Sequence, residues 1–386
     1  MTDNPMRLHA NWSYPTAVRF GIGRIAELSN AVDAAGMRRP LLVTDRNLAS
    51  IAFVQDALAR MEAAGLAAAM FADVDANPTD TNLAAGVAAF RAGAHDGVVA
   101  IGGGSALDLG KLVAFMAGQT RPVWDFEDIG DRWRRADADA IAPVVAAPTT
   151  AGTGSEVGRA AVVASSESGV KKVIFHPKML PVVVIADPAL TVGMPAWVTA
   201  GTGMDVFVHC LEAYVAPAFH PMGDGIALEG MRLVKENLLR AYSDGTDLEA
   251  RAHMMAAASM GAVAFQKGLG AVHAISHAVA ARCGGHHGTI NAAALLPVLA
   301  FNRPAIEAKV ARAAAYLEIV GGYDGFVDFV VDLTEALAIP KGLGALGVEA
   351  NMVPDLVRIA LADPCAAGNP IALDEQNLAR LIASAC

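Results

Sequence analysis

The chain has 386 residues, 54% of them hydrophobic, with 29 basic and 39 acidic side chains and a formal net charge of -10. That charge gives no general attraction to nucleic acid or to an anionic membrane, and the apolar runs are broken by glycine, charge or proline before they reach the about 20 residues that cross a bilayer. Cys210, Cys283, Cys365 and Cys386 form no close pair and no Cys-x-x-Cys, which argues against a disulfide scaffold or a thiolate zinc site and fits a reducing cytoplasm.

In chain order, the opening MTDNPMRLHANWSYP has neither the basic leader nor the continuous apolar stretch of a secretory signal, so a cytoplasmic location is expected. Short β-rich runs then alternate with Ala-rich helical runs. RPLLVTD reads as a strand ending in a turn, IAFVQDALARMEAAG as a helix, and AAAMFADV as the next strand. After the helical TDTNLAAGVAAFRAG, DGVVAIGGG leads into SALDLGKLVAFMAG, and IAPVVAAPTT supplies another strand. Strands separated by helices of this length predict a parallel sheet covered by helices. Near VVVIADPALTVGMP the pattern changes, and helices dominate from there on. The expectation is an α/β domain over residues 1–190 followed by an all-helical domain over 191–386.

The best local anion site is DGVVAIGGGSALDLGKL. Gly102, Gly103 and Gly104 follow an apolar strand and precede Ser105 and a helix, so the backbone can approach a pyrophosphate and helix-start amides can face its charge. PTTAGTGSE, residues 148–156, adds a second Gly/Thr/Ser-rich turn after another strand. Asp45, at the end of RPLLVTD, is placed to accept hydrogen bonds from an adenosine ribose and to repel a ribose phosphate, favouring NAD over NADP; a helix N-cap is the competing reading.

Four of the ten histidines crowd into GLGAVHAISHAVAARCGGHHGT, residues 268–289. His273 and His277 are four residues apart, as are Asp205 and His209 in GMDVFVHC, and that spacing places each pair on one helix face. Asp205, His209, His273 and one of His286 and His287 read as a carboxylate-imidazole set suited to Fe²⁺ or Zn²⁺, with a structural histidine network as the alternative. His277 is open to several roles: coordination in place of His273, orienting a hydroxyl, relaying a proton, or stacking on a cofactor. His9, His95, His176, His220 and His253 lack such a constellation and are assigned to surface or packing.

Together, GGGSALDLGK (102–111), PTTAGTGSE (148–156), GMDVFVHCLEAY (203–214) and GLGAVHAISHAV (268–279) resemble the iron-containing, or group III, alcohol dehydrogenase family, in an order that covers most of the chain. The resemblance implies a nucleotide-binding α/β domain, a helical metal-binding domain and catalysis in the cleft between them. It implies Asp205, His209, His273 and His287 as metal ligands. The family's more usual proline before the last ligand is replaced here by His286. It further implies that Gly102, Gly103, Gly104 and Ser105 contact the pyrophosphate, that Thr149 and Thr150 line the nucleotide site, that Asp45 meets the ribose, and that Lys171 lies near the cofactor. His277 matches a histidine close to the nicotinamide and substrate, and Cys365 in DPCAAGNP a wall of the cleft.

The implied reaction is reversible NAD(H)-linked oxidation of an alcohol (a primary alcohol, diol or hydroxyacid) to an aldehyde or ketone, with Fe²⁺ or Zn²⁺ polarising the substrate oxygen. Arg159, in GSEVGRA where the family more usually has Thr after SEV, and Lys267 are candidates to bind a hydroxyacid carboxylate, against the simpler reading of a structural ion pair. A metal-dependent lyase of the dehydroquinate-synthase-like group and a catalytically silent interaction protein are the alternatives. A homo-oligomer is compatible with the sequence.

Overall fold

The computed structural model describes residues 10–12 and 16–386; most of the opening segment, His9 included, lies outside the described residues. Two compact units emerge, one reaching to Thr150 and resuming over Gly154–Val192, the other comprising Ala151–Thr153 and Gly193–Cys386.

The first unit is built on β1 (Ala10–Trp12), β2 (Ala17–Phe20), β3 (Pro40–Val43), β4 (Ala69–Phe71), β5 (Gly97–Gly102), β6 (Val144–Pro148), β7 (Ala160–Ala164), β8 (Lys171–Phe175) and β9 (Val183–Ala186). Seven strands form one sheet in the order β1-β2-β9-β6-β5-β3-β4, and only the β1–β2 pair is antiparallel. Every residue of β3 and β5 is buried, which is why PLLV and GVVAIG are almost continuously apolar rather than alternating. Successive residues still go to opposite faces. Val98 and Ala100 join Leu41 and Val43 under α3 (Asp80–Ala92) and α4 (Gly104–Met116). Val99 and Ile101 join Leu42 under α1 (Leu28–Ala34) and α2 (Ala52–Ala63).

The expected βα alternation misses the separate antiparallel hairpin β7–β8, in which Lys171 pairs with Ala164. Its second strand, KKVIF, opens on two lysines and lacks the apolar continuity of the central strands. Inside the first unit, Asp108 and Lys111 of α4 tie this hairpin and the preceding turn to the glycine-loop helix. Asp108 accepts from Ser155 Oγ at 2.5 Å and from Val162 N at 2.9 Å. Lys111, 1% exposed, donates to Ser155 O at 2.9 Å and to Ala160 O, with Asp108 Oδ1 3.4 Å away.

The second unit contains α5 (Ala196–Val215), α6 (Pro221–Ser243), α7 (Leu248–Ala264), α8 (Ala271–Cys283), α9 (His287–Tyr316), α10 (Gly322–Ala336), α11 (Val353–Ala362) and α12 (Glu375–Ala385). α5 is buried along nearly its whole length, so its few polar residues stand out against Val206, Phe207, Val208 and Leu211. The helix starts are chemically marked: Asp247 caps α7, Asp374 caps α12 with a capping box, and His220 accepts from Gly223 N at the start of α6.

Lys111→Met removes the ammonium and leaves Asp108 and two carbonyls without their partner, so it is expected to cost about 3 kcal/mol of stability, the scale for breaking a buried pair. Urea unfolding of the two proteins measures it.

Candidate active site

Asp205 and His209 sit one turn apart inside α5, His273 one turn into α8, and His287 on the first residue of α9. Three imidazole nitrogens face one carboxylate oxygen: Asp205 Oδ1 lies 3.6 Å from His209 Nε2, 3.7 Å from His273 Nε2 and 3.6 Å from His287 Nε2. Such separations are too long for hydrogen bonds. They match the edge of a tetrahedron of N and O donors about 2.1 Å from a central cation, roughly 3.4 Å. The ligand atoms of Asp205, His273 and His287 all lie within 4.8 Å of one another. One hard carboxylate and three imidazoles, without a thiolate, form a donor set suited to a divalent first-row metal.

The electrostatics reflect four ionisable groups packed away from water. Burial raises the Asp205 carboxyl, yet the facing imidazoles outweigh it and hold the group well below the usual carboxylate range. Burial lowers His209 to about 4 despite the pull of Asp205. His273 goes the other way, to about 9: burial lowers it, and the Asp205 and Glu212 carboxylates more than offset that. Their rings stack with centroids 4.7 Å apart. Asn291, one turn after His287, donates from Nδ2 to Asp205 Oδ1 at 2.7 Å and lies 3.3 and 3.2 Å from His273 Nε2 and His287 Nε2.

The cluster closes because two helices touch through glycine. A Cβ on Gly288 would meet Gly201 O at 2.0 Å and Asp205 Cβ at 2.9 Å, so only glycine lets the start of α9 rest on α5 beside Asp205. Gly284 (φ 69°) and Gly285 (φ 95°) make the turn that starts α9 at His287. This resolves the choice left open by HH: His287 enters the cluster, while His286 turns to Thr289 Oγ1 at 3.2 Å and meets the Trp197 ring edge to face at 5.5 Å.

In the first unit, Gly102 ends β5 and Gly103 occupies the N-cap of α4, which no side chain caps. The first-turn amides of that helix are thereby offered to an anion. Thr149 N donates to Gly102 O at 2.9 Å, so the second turn lies beside the glycine loop, and an added Cβ on Gly103 would lie 3.3 Å from Thr150. Ser105 differs from expectation: its hydroxyl donates to Ala76 O at 2.6 Å, which uses its one proton and leaves the backbone amide to meet a phosphate. Asp45 combines both of its readings. Its Oδ1 accepts from Asn47 N and Leu48 N at 2.9 and 3.0 Å, while Oδ2 is close to Gly102.

Comparison with known proteins agrees with this geometry. Residues 15–188 match the family model for iron-containing alcohol dehydrogenase, and residues 199–386 match its C-terminal counterpart. The chain belongs to the iron-containing alcohol dehydrogenase family. It is 39% identical over 367 residues to a 4-hydroxybutyrate dehydrogenase of Cupriavidus necator, covering 92% of this chain and 94% of the relative. It is 34% identical to an NAD-dependent methanol dehydrogenase of Bacillus methanolicus, over 97% and 99% of the two chains. Among solved structures, a 1,3-propanediol oxidoreductase superposes with a TM-score of 0.91 at 34% identity, covering 96% of this chain and 97% of that one. This dehydrogenase is a metal-dependent, NAD-linked enzyme acting on small alcohols or aldehydes. Among the described residues, no helix is long and apolar enough to cross a membrane.

Beside the dehydrogenase's metal cluster, His277 stacks on His287 with ring centroids 5.2 Å apart. Its Nδ1 lies 2.8 Å from Asp363 Oδ2, and Asp363 Oδ1 accepts from Cys365 N at 2.9 Å. Asp363 is absent from the sequence reading; the Asp-Pro-Cys start of a short helical turn is the only local signal for it. Burial pushes the Cys365 thiol well up, so it stays protonated. Lys267 does not serve a substrate carboxylate: its buried ammonium bonds Asp224 Oδ1 at 2.5 Å and Tyr214 O at 2.9 Å, the structural ion pair. Arg159 lies over the Phe175 ring at 5.5 Å.

Gly288→Ala is expected to push α9 off α5 and to lower retained metal by at least about tenfold, as losses of supporting contacts around a metal do. Metal content per chain after dialysis against a weak chelator measures this.

Proposed function

We propose that the dehydrogenase interconverts short, unbranched primary alcohols, an ω-hydroxyacid among them, with their aldehydes, using NAD⁺ or NADH. Nucleotide binding belongs to residues 1–190, and metal and substrate binding to residues 191–386. The observation that carries this reading is the approach of three imidazole nitrogens to one Asp205 oxygen at 3.6 to 3.7 Å. Asp205, His209, His273 and His287 are the ligands in this proposal, and Fe²⁺ is the ion, in keeping with the family. When bound, the cation supplies Lewis acidity toward a substrate oxygen and the dinucleotide accepts the hydride.

The chain's own residues do the rest. The amides of the glycine loop and of Ser105, with Thr149 and Thr150, receive the dinucleotide phosphates; Lys171 lies along the cofactor; and Asp45 selects an unphosphorylated ribose. Asp363 holds the proton of His277 on Nδ1, leaving Nε2 to take up the proton released by the alcohol hydroxyl. The substrate class is supported by the similarity to 4-hydroxybutyrate, methanol and 1,3-propanediol enzymes.

The test is anaerobic absorbance at 340 nm with metal-defined protein. NAD⁺ reduction is expected with 4-hydroxybutyrate, 1,3-propanediol or a simple primary alcohol, with Fe²⁺ more active than Zn²⁺; inactivity of folded, loaded protein on all three refutes the proposal. In the same assay His287→Ala is expected to lose activity together with its metal, and His286→Ala to keep both. Asp45→Ser retains an acceptor for the Asn47 and Leu48 amides while removing the charge, so it is expected to raise the kcat/KM for NADP⁺ relative to NAD⁺ by about tenfold, roughly 1.4 kcal/mol.

A further inference from the structure

We propose that Glu212 is the positioning residue that sets the proton of His273 on Nδ1 and thereby turns its Nε2 lone pair toward the metal. The inference rests on His273 being a metal ligand. Glu212 lies on α5, one turn beyond His209, and is 5% exposed. Its two oxygens do different things. Oε1 accepts from Val272 N at 2.8 Å, at the start of α8, and Oε2 lies 2.7 Å from His273 Nδ1. An ionised carboxylate only accepts hydrogen bonds, so Nδ1 is the donor and Nε2 of the neutral ring carries the lone pair. That Nε2 is the atom facing Asp205 Oδ1.

The other two imidazoles have no such carboxylate. His209 Nδ1 is buried without a hydrogen-bond partner, and His287 Nδ1 meets Ser276 Oγ at 3.0 Å, a hydroxyl that can donate or accept. The aim of His273 therefore depends on Glu212 in a way that the aims of His209 and His287 do not. Helix placement is a separable role, because Asn369 Oδ1 also caps α8, at Ala271 N and 3.1 Å, without touching the ring.

Glu212→Gln separates the two. A glutamine oxygen can keep the bond to Val272 N, but it then presents an NH₂ group to Nδ1, which moves the ring proton to Nε2, where it blocks coordination. Zn²⁺ affinity, measured by competition with a fluorescent chelator, is expected to fall 10- to 100-fold in Glu212→Gln, about the range for losing a carboxylate behind a metal-binding histidine. Asn369→Ala, with a cap of α8 removed and the ring untouched, is expected to bind close to wild type. Wild-type affinity in Glu212→Gln, or an equal loss in Asn369→Ala, overturns the proposal. Should Glu212→Gln fail to fold by circular dichroism, ¹⁵N imidazole spectra of the wild-type Zn²⁺ protein decide instead: a His273 proton on Nδ1 supports the assignment, and one on Nε2 overturns it. Unchanged Zn²⁺ affinity in His273→Ala would reject the ligand role itself, an outcome distinct from failure of Glu212 alone.

Discussion

Taking a carboxylate and three imidazoles out of water is expensive, and the helical unit is arranged around that cost. Asp205 is 3% exposed, His209 5% and His273 1%, in the middle of a helix otherwise filled with valine, phenylalanine and leucine. Protons alone satisfy the group poorly: four ionisable side chains share one pocket, and their preferred charge states pull in opposite directions. A divalent cation compensates the carboxylate and uses all three nitrogen lone pairs at once. The supporting polar contacts come from the same helices, with the Asn291 amide on Asp205 and the Glu212 carboxylate on His273.

The first unit handles its anion site by the opposite strategy. Its phosphate-binding surface consists of backbone at a strand end and a helix start, with no buried charge aimed at it. The charged pair Asp108 and Lys111 is directed instead at Ser155, Ala160 and Val162, where it holds the second turn and the hairpin against α4. Charge here organises the loops, and main-chain dipoles are left for the ligand.

Much of this was legible in the sequence where the signal is local. Apolar runs between Ala-rich helices announced the parallel sheet, and the i,i+4 pairs Asp205/His209 and His273/His277 announced shared helix faces. The choice between His286 and His287 was not legible from the residues, because it depends on two left-handed glycines and on a backbone contact between Gly201 and Gly288. Glu212 was present in the quoted HCLEAY but went unremarked, since its partner His273 is 61 residues away. Asp363 meets His277 across 86 residues, and Lys267 finds Asp224 across 43. Residue type proposes such pairs; only the packing of helices selects them. The β7–β8 hairpin escaped for a different reason, its charged second strand lacking the apolar continuity that marks the central sheet.

The meeting of Gly201 and Gly288 also bears on how the metal site tolerates change. The gap between Asp205 and His287 is set by two main chains in contact, so it behaves as a fixed bore rather than as an adjustable one. Exchanging a donor side chain alters the charge and softness presented to an ion but leaves that bore unchanged, and a longer or shorter donor finds no slack in the backbone to absorb the difference. Selectivity among ions of similar size is thus left to ligand chemistry, while ions needing a wider cage are refused by the helices themselves.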